Sequence, residues 1–188
     1  MSTAPHQANK DLVFLKPTTD DGLKLFAGSV KVNVDNADMS RAVRLRRMPQ
    51  VTITNEADKS RAKSRSSGNP EFFYVECETI VDKSAIAAFQ CVTNGSNLGD
   101  VGIYQMTTEG GQIKILSQMI LSDTFITAVS LKFDVAQDEA TSEGLIATYV
   151  LVYDTLTQIR NIFDDTGVSS GKIGSEASRS KQISASKT

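Results

Sequence analysis

Apolar and polar residues alternate at every second position through the middle of the sequence, and this pattern constrains the fold most strongly. Between residues 73 and 81, Val75, Cys77 and Thr79 fall on one face of an extended chain, and Glu76 and Glu78 fall on the other. The same alternation recurs between residues 125 and 135. A period of two that is filled with β-branched and aromatic residues is typical of strands that bury one face. The sequence therefore predicts an all-β fold.

Two glycine-containing dipeptides divide the predicted strands. Asn94-Gly95 and Gly110-Gly111 are typical of tight hairpin turns, because both central residues of such a turn need positive φ. We expect residues 101–107 to pair with residues 112–121 across Gly110-Gly111. Residues 145–153 form the most apolar stretch of the chain, which predicts a central strand that is covered on both faces.

A few segments permit short helices. Asp82 is a possible cap for a helix in residues 84–89, although residues 86–92 also fit a strand. Leu156, Ile159 and Phe163 are at helical spacing and predict a short closing helix. By contrast, Leu23 and Leu25 alternate with polar residues and predict a strand that continues beyond Gly28.

Roughly nine or ten strands separated by turn signals indicate a β-sandwich, a jelly-roll-like fold or a partly closed antiparallel barrel, with one or two short helices. We expect a flexible N-terminal segment in residues 1–10 and a single β domain in residues 11–167. Residues 59–70 contain no large apolar side chain and predict a mobile basic loop within that domain. Residues 168–188 contain seven serines and predict a disordered tail rich in Ser and Lys.

Residue types that carry catalytic or metal chemistry are scarce. The single histidine, His6, lies in the polar N-terminal segment, and Cys77 and Cys91 lie in apolar stretches as expected for buried free thiols. We predict no catalytic residue, no cofactor, no metal site and no small-molecule substrate. Asp134, Asp154 and Asp164 leave open a hydrolase that uses paired carboxylates. No signal peptide or membrane-spanning segment is evident, which predicts a cytoplasmic protein.

One basic block stands out against an acidic background. Residues 41–65 contain eight basic and two acidic residues, a charge of +6, while the other 12 basic and 20 acidic residues give −8. Such a block predicts binding to a polyanion, namely RNA, nucleoprotein or an anionic membrane. It also fits a strand edge that charge protects from aggregation. The predicted polyanion-binding residues are Arg41, Arg44, Arg46, Arg47, Lys59, Arg61, Lys63 and Arg65.

A compact β domain with basic segments and disordered ends resembles the small matrix, coat or movement proteins of RNA viruses. This resemblance implies a non-enzymatic structural protein, located in a virion or in the host cytoplasm. Charge polarity also predicts self-association, because a positive surface on one subunit can meet a negative surface on the next and form rings or arrays. The alternative is a β-sandwich adaptor that recognises a protein partner through a sheet edge or an apolar patch.

Overall fold

The computed structural model describes residues 12–34, 37–55, 70–109, 112–134, 144–164 and 168–179. Two helices, α1 (Asp20–Leu25) and α2 (Ser84–Asn94), accompany thirteen strands in these residues. The strands are β1 (Leu12–Pro17), β2 (Asn33–Val34), β3 (Ala37–Asp38), β4 (Val43–Leu45), β5 (Ile53–Asn55), β6 (Pro70–Phe72), β7 (Val75–Ile80), β8 (Val101–Glu109), β9 (Gln112–Ser122), β10 (Phe125–Asp134), β11 (Gly144–Val152), β12 (Thr155–Phe163) and β13 (Ser169–Ser178). No helix in the described residues has the length and the apolar character needed to cross a bilayer.

Nine strands form one antiparallel sheet in the order β10-β11-β7-β4-β1-β8-β9-β12-β13. The sheet does not close, so β10 and β13 are its edges. Ile126 on β10 and Leu156 on β12 nevertheless belong to the same core cluster. Nine flat strands would span about 40 Å, so the sheet must curve strongly around this core. The predicted all-β fold with short helices is confirmed.

The central strand is β1, and both of its faces are covered. Val13 and Leu15 are buried in the main core, whereas Phe14 on the opposite face packs in a second cluster. The segment between α1 and β4 covers that face through Met39 and Ala42. We expected the two-sided strand at residues 145–153, but β11 lies next to the edge strand β10. Its apolar density therefore did not reveal its position in the sheet.

Helix α2 resolves the ambiguity at residues 84–92. The Asp82 carboxylate accepts a hydrogen bond from the Ser84 backbone N–H at 2.8 Å, which satisfies one donor at the start of the helix. The helix buries the small side chains of Ala85, Ala88 and Cys91 against the core. Gly95 ends it in the left-handed region with φ of 60°. Asn94-Gly95 is thus the end of a helix and not the predicted hairpin turn.

Two other local predictions were wrong. The segment with Leu23 forms helix α1, because the Thr19 hydroxyl oxygen accepts a hydrogen bond from the Gly22 N–H at 3.1 Å and caps the first turn. The predicted closing helix at residues 156–163 is strand β12, which pairs with β9 on one side and β13 on the other. Backbone hydrogen bonds to both neighbouring strands therefore favour the extended conformation over the helix that the spacing of these residues predicts.

Strand β13 occupies residues for which composition predicts disorder. It pairs with β12 from Thr155↔Ser178 to Phe163↔Ser169. Backbone hydrogen bonding orders this segment although only Ser178 is fully buried. The predicted flexible residues 1–10 and the tail beyond residue 179 lie outside the described residues. The predicted mobile loop also lies outside them, except for Pro70, the first residue of β6.

Candidate interaction surface

Three of the predicted polyanion-binding residues lie on β4 or directly after it. Arg44 is on β4, opposite Phe14 of β1, and its side chain is exposed between the buried Val43 and Leu45. Arg46 and Arg47 follow directly and are also exposed. We call Arg44, Arg46 and Arg47 the basic cluster. Alternation along the chain correctly predicts that Arg44 and Arg46 avoid the core.

Glu78, on the neighbouring strand β7, forms an ion pair that neutralises part of the charge of the basic cluster. The Glu78 carboxylate lies 3.4 Å from Arg47 Nη2 and 3.1 Å from Lys132 Nζ. The Glu78 backbone carbonyl accepts a hydrogen bond from the Arg46 N–H at 2.8 Å. Lys132 belongs to β10, so Glu78 joins a residue after β4 to the edge of the sheet. Sequence reasoning missed this link, because Glu78 and Lys132 are remote from the basic block along the chain.

Arg41 has a structural role at the other end of β4. Its backbone adopts a positive φ of 65°, and its N–H donates to the Val30 carbonyl at 2.7 Å. The guanidinium donates a hydrogen bond to the Leu23 carbonyl in α1. Arg41 therefore fastens the segment between α1 and β4, and the structure does not bring its charged group together with the basic cluster.

The remaining predicted residues, Lys59, Arg61, Lys63 and Arg65, lie outside the described residues, in the connection between β5 and β6. These two strands form a separate antiparallel pair with the register Asn55↔Pro70 and Ile53↔Phe72. We call this pair the β5–β6 hairpin. Its geometry places the two ends of the basic connection side by side.

The two edges of the large sheet expose apolar side chains. On β10, Leu131 is exposed and Phe133 is 82% exposed. On β13, Ile173 is 65% exposed, and Ile162 on the neighbouring β12 is also exposed. In the described residues, each edge strand pairs with another strand on one side only, apart from an isolated bridge between Phe125 of β10 and Asn97. Unpaired backbone groups next to apolar side chains are typical of surfaces that receive another strand.

The outer face of α2 carries exposed apolar side chains as well. Ile86 is 69% exposed and Phe89 is also exposed, while residues 84–94 contain no charged side chain. Exposed helix faces in soluble proteins usually carry charged or polar residues. Helix α2 packs along β10, so this face adjoins one edge of the sheet.

Chemically reactive groups do not converge in the described residues. Cys77 and Cys91 are free and buried as expected, and burial raises the pKa of the Cys77 thiol to about 12. No group of three or more metal-ligating side chains occurs in the described part of the chain. Asp154 and Asp164 flank opposite ends of β12, about 30 Å apart at the rise of an extended strand. This separation excludes a catalytic pair of these two carboxylates.

Proteins of type VI secretion systems share this fold. A type six secretion system protein matches with a TM-score of 0.72 at 12% sequence identity, covering 90% of this chain and 96% of that chain. Hcp1 from Salmonella typhimurium matches with a TM-score of 0.64 at 14% identity, covering 92% and 97%. Hcp1 from E. coli EAEC 042 matches with a TM-score of 0.61 at 16% identity, covering 92% and 99%. No family model and no curated protein matches the sequence.

These matches overturn the viral prediction. The expected matrix, coat or movement protein, with RNA, nucleoprotein or an anionic membrane as its partner, is wrong, because the fold is that of secretion-system proteins. A location in a virion depended on that viral resemblance and is withdrawn with it. The alternative, a β-sandwich adaptor, is not supported by these matches either. The viral resemblance rested on charge and strand content, and neither quantity specifies the order of strands in a sheet.

Proposed function

We propose that this chain is a structural, non-enzymatic subunit of a bacterial type VI secretion system that assembles with copies of itself. The observation that carries the proposal is the match to a type six secretion system protein over 90% of this chain and 96% of that one. Because the match covers nearly all of both proteins, the shared architecture extends over the whole domain and is not limited to an isolated motif.

The open sheet supports self-association. Strands β10 and β13 are different edges of the same sheet, and both carry exposed apolar side chains. Pairing β10 of one copy with β13 of the next is a head-to-tail contact, which closes into a ring or extends into a filament. Repetition of one contact thus yields a large assembly from a small subunit.

The basic residues fit the same role. We propose that Arg44, Arg46, Arg47, Lys59, Arg61, Lys63 and Arg65 contribute to binding an acidic surface of a neighbouring copy, and that Arg41 contributes only by holding the segment between α1 and β4 in place. The charge of +6 in residues 41–65 against −8 in the rest of the chain supports this complementarity. Opposite charges across an interface set its orientation and speed its formation.

As a secretion-system subunit, the chain is made in the cytoplasm and delivered by the secretion apparatus. The test has two parts. First, the mass of the purified protein is measured by light scattering over a range of concentrations, and we expect assemblies larger than one chain. Second, the chain is expressed in a bacterium with an active type VI secretion system, and we expect it in the culture medium only when that system is intact. A monomer at every concentration that is retained in both strains would contradict the proposal.

A further inference from the structure

The β5–β6 hairpin is a weakly supported part of the fold. It forms its own two-stranded sheet and pairs with no strand of the nine-stranded sheet in the described residues. An isolated two-stranded hairpin is only marginally stable in water. Its orientation must therefore depend on side-chain contacts with the rest of the domain.

Phe72 provides a buried contact of this kind. It is buried in the main core, and its ring meets the Tyr153 ring edge to face, with centroids 5.9 Å apart. Ile53, its cross-strand partner in the hairpin, is exposed. Phe72 thus anchors the hairpin to the turn between β11 and β12.

Arg179, at the end of β13, covers this anchor. Its guanidinium carbon lies 5.3 Å from the centroid of the Phe72 ring, and Nη2 donates a hydrogen bond to the Phe72 carbonyl at 2.6 Å. One side chain therefore contacts both the ring and the backbone of the same residue, across 107 positions of sequence. A planar guanidinium can stack on a ring and donate hydrogen bonds at its rim at the same time.

Arg179 is itself held in place. Its backbone N–H donates to the Asp154 carbonyl at 3.1 Å. The preceding residue, Ser178, is buried. Its Oγ lies 2.9 Å from the Thr155 hydroxyl oxygen and 3.3 Å from a carboxylate oxygen of Asp154. The β11–β12 turn therefore positions both the Phe72 anchor and the arginine that covers it.

We propose that Arg179 is a positioning residue that fixes the orientation in which the β5–β6 hairpin meets a second copy of this chain. The proposal rests on the proposed function, in which β13 pairs with the next copy. Arg179 directly follows β13 and contacts Phe72 of the hairpin, so the hairpin adjoins that contact. It makes the end of β13 a determinant of assembly, because displacement of Arg179 from Phe72 frees the hairpin without opening the main core.

Hydrogen exchange measured by mass spectrometry tests the positioning role in the full chain. Arg179→Ala should raise exchange in the β5–β6 hairpin roughly tenfold, the loss expected for one stacked, charged hydrogen-bond donor, and should leave β1 unchanged. Arg160→Ala is the matched control, because Arg160 is an exposed arginine on β12, and it should change neither segment. Hairpin exchange within twofold of the control would overturn the proposal.

Two conservative variants cover the case in which Arg179→Ala unfolds. Arg179→Lys keeps the charge but loses the planar stack, and Phe72→Leu keeps an apolar side chain but loses the ring face. Each should raise hairpin exchange about threefold while β1 stays protected. Exchange that stays at the wild-type level in both variants would also overturn the proposal.

Light scattering separates this inference from the proposed function. The Arg179→Ala variant should reach a given assembled fraction only at a roughly tenfold higher protein concentration than the Arg160→Ala variant. If Arg179→Ala raises hydrogen exchange in the hairpin but leaves the concentration needed for assembly unchanged, the assembly role of Arg179 is overturned. A wild-type chain that is monomeric throughout would refute the proposed function, and the exchange comparison would still decide whether Arg179 holds the hairpin.

Discussion

The hydroxyl oxygens of Ser84 and Tyr149 lie 2.7 Å apart and join the first residue of α2 to strand β11 across the core. The Ser84 hydroxyl also donates to the Asp82 carboxylate, whose other oxygen accepts the Ser29 N–H at 2.9 Å. Three separate parts of the chain therefore meet in one hydrogen-bonded network. Since Ser84 donates to Asp82, Tyr149 is the donor to Ser84.

Removal of the Tyr149 hydroxyl should destabilise the domain. Tyr149→Phe deletes one buried hydrogen bond and leaves the Ser84 oxygen without that donor, so the free energy of unfolding should fall by about 1–2 kcal/mol. Urea denaturation measures this change. Tyr74→Phe is the control, because Tyr74 is exposed, and it should stay within about 0.5 kcal/mol of wild type. Equal effects in the two variants would contradict a stabilising role for the network.

Stability should decline at alkaline pH. Burial raises the pKa of Tyr149 from 10.0 to about 12 and the pKa of Cys77 from 9.0 to about 12. Between pH 9 and pH 12 the unfolded chain therefore releases protons that the folded chain retains, and the free energy of unfolding falls as pH rises. Urea midpoints should be nearly constant from about pH 6 to about pH 8 and decrease above that range. Tyr149→Phe should flatten the decrease above pH 10, and an unchanged slope in this variant would be evidence against the assignment to Tyr149.

Both native thiols should resist modification. Cys77 and Cys91 are buried, and burial raises the pKa of both thiols, so little reactive thiolate is present at neutral pH. With a chromogenic disulfide reagent, the folded chain should react about 100-fold more slowly than the chain in denaturant. Gln90→Cys places a thiol on the exposed face of α2 and should react rapidly in the folded state. Fast reaction of two thiols in the native wild type would contradict their burial.

Gly28 should not tolerate a side chain. A Cβ at this position would lie 2.2 Å from the Ala42 carbonyl oxygen, a backbone atom that cannot move aside cheaply. Gly28→Ala should therefore cost about 3 kcal/mol or more of unfolding free energy. Gly144→Ala is the matched control, because its Cβ would lie 3.9 Å from a methyl group of Ile80. Thermal denaturation of the two variants should show a clear loss for Gly28→Ala alone.

Charge placed on either sheet edge should weaken self-association. Phe133→Glu and Ile173→Glu change exposed residues on β10 and β13, so the folded monomer should lose little stability. We expect the concentration needed for assembly to rise at least about tenfold in each variant. Val32→Glu, at an exposed apolar residue away from both edge strands, should assemble like wild type. Light scattering together with a melting curve separates weakened association from unfolding.

Local patterns predicted the strands well. Alternation located β7 and β10, and Gly110-Gly111 marked the connection at which Glu109 pairs with Gln112. These signals are local, because adjacent side chains report which face of a strand is buried. Position within the sheet is a long-range property. The apolar density of β11 therefore failed to identify the central strand, and β13 gave no side-chain signal at all.

The candidate surface was only partly visible in the sequence. The basic block was evident, but the ion pairs of Glu78 with Arg47 and Lys132 depend on the pairing of β4, β7, β11 and β10. Arg179 could not be connected with Phe72, because their contact spans 107 positions in a segment of low complexity. Charge composition predicted that the block has a partner, yet it could not indicate the chemical nature of that partner.

The central location of β1 delays its pairing during synthesis, because its partners β4 and β8 both follow it in the sequence. During translation, residues 12–17 leave the ribosome before the other described strands, and their early partner β4 offers only three paired positions. The long partner β8 begins only at residue 101, so the apolar residues Val13–Leu15 lack this pairing until more than half of the 188 residues are made. Pairings this distant in sequence slow folding. Nascent chains should therefore require protection by chaperones until β8, which ends at Glu109, has been synthesised.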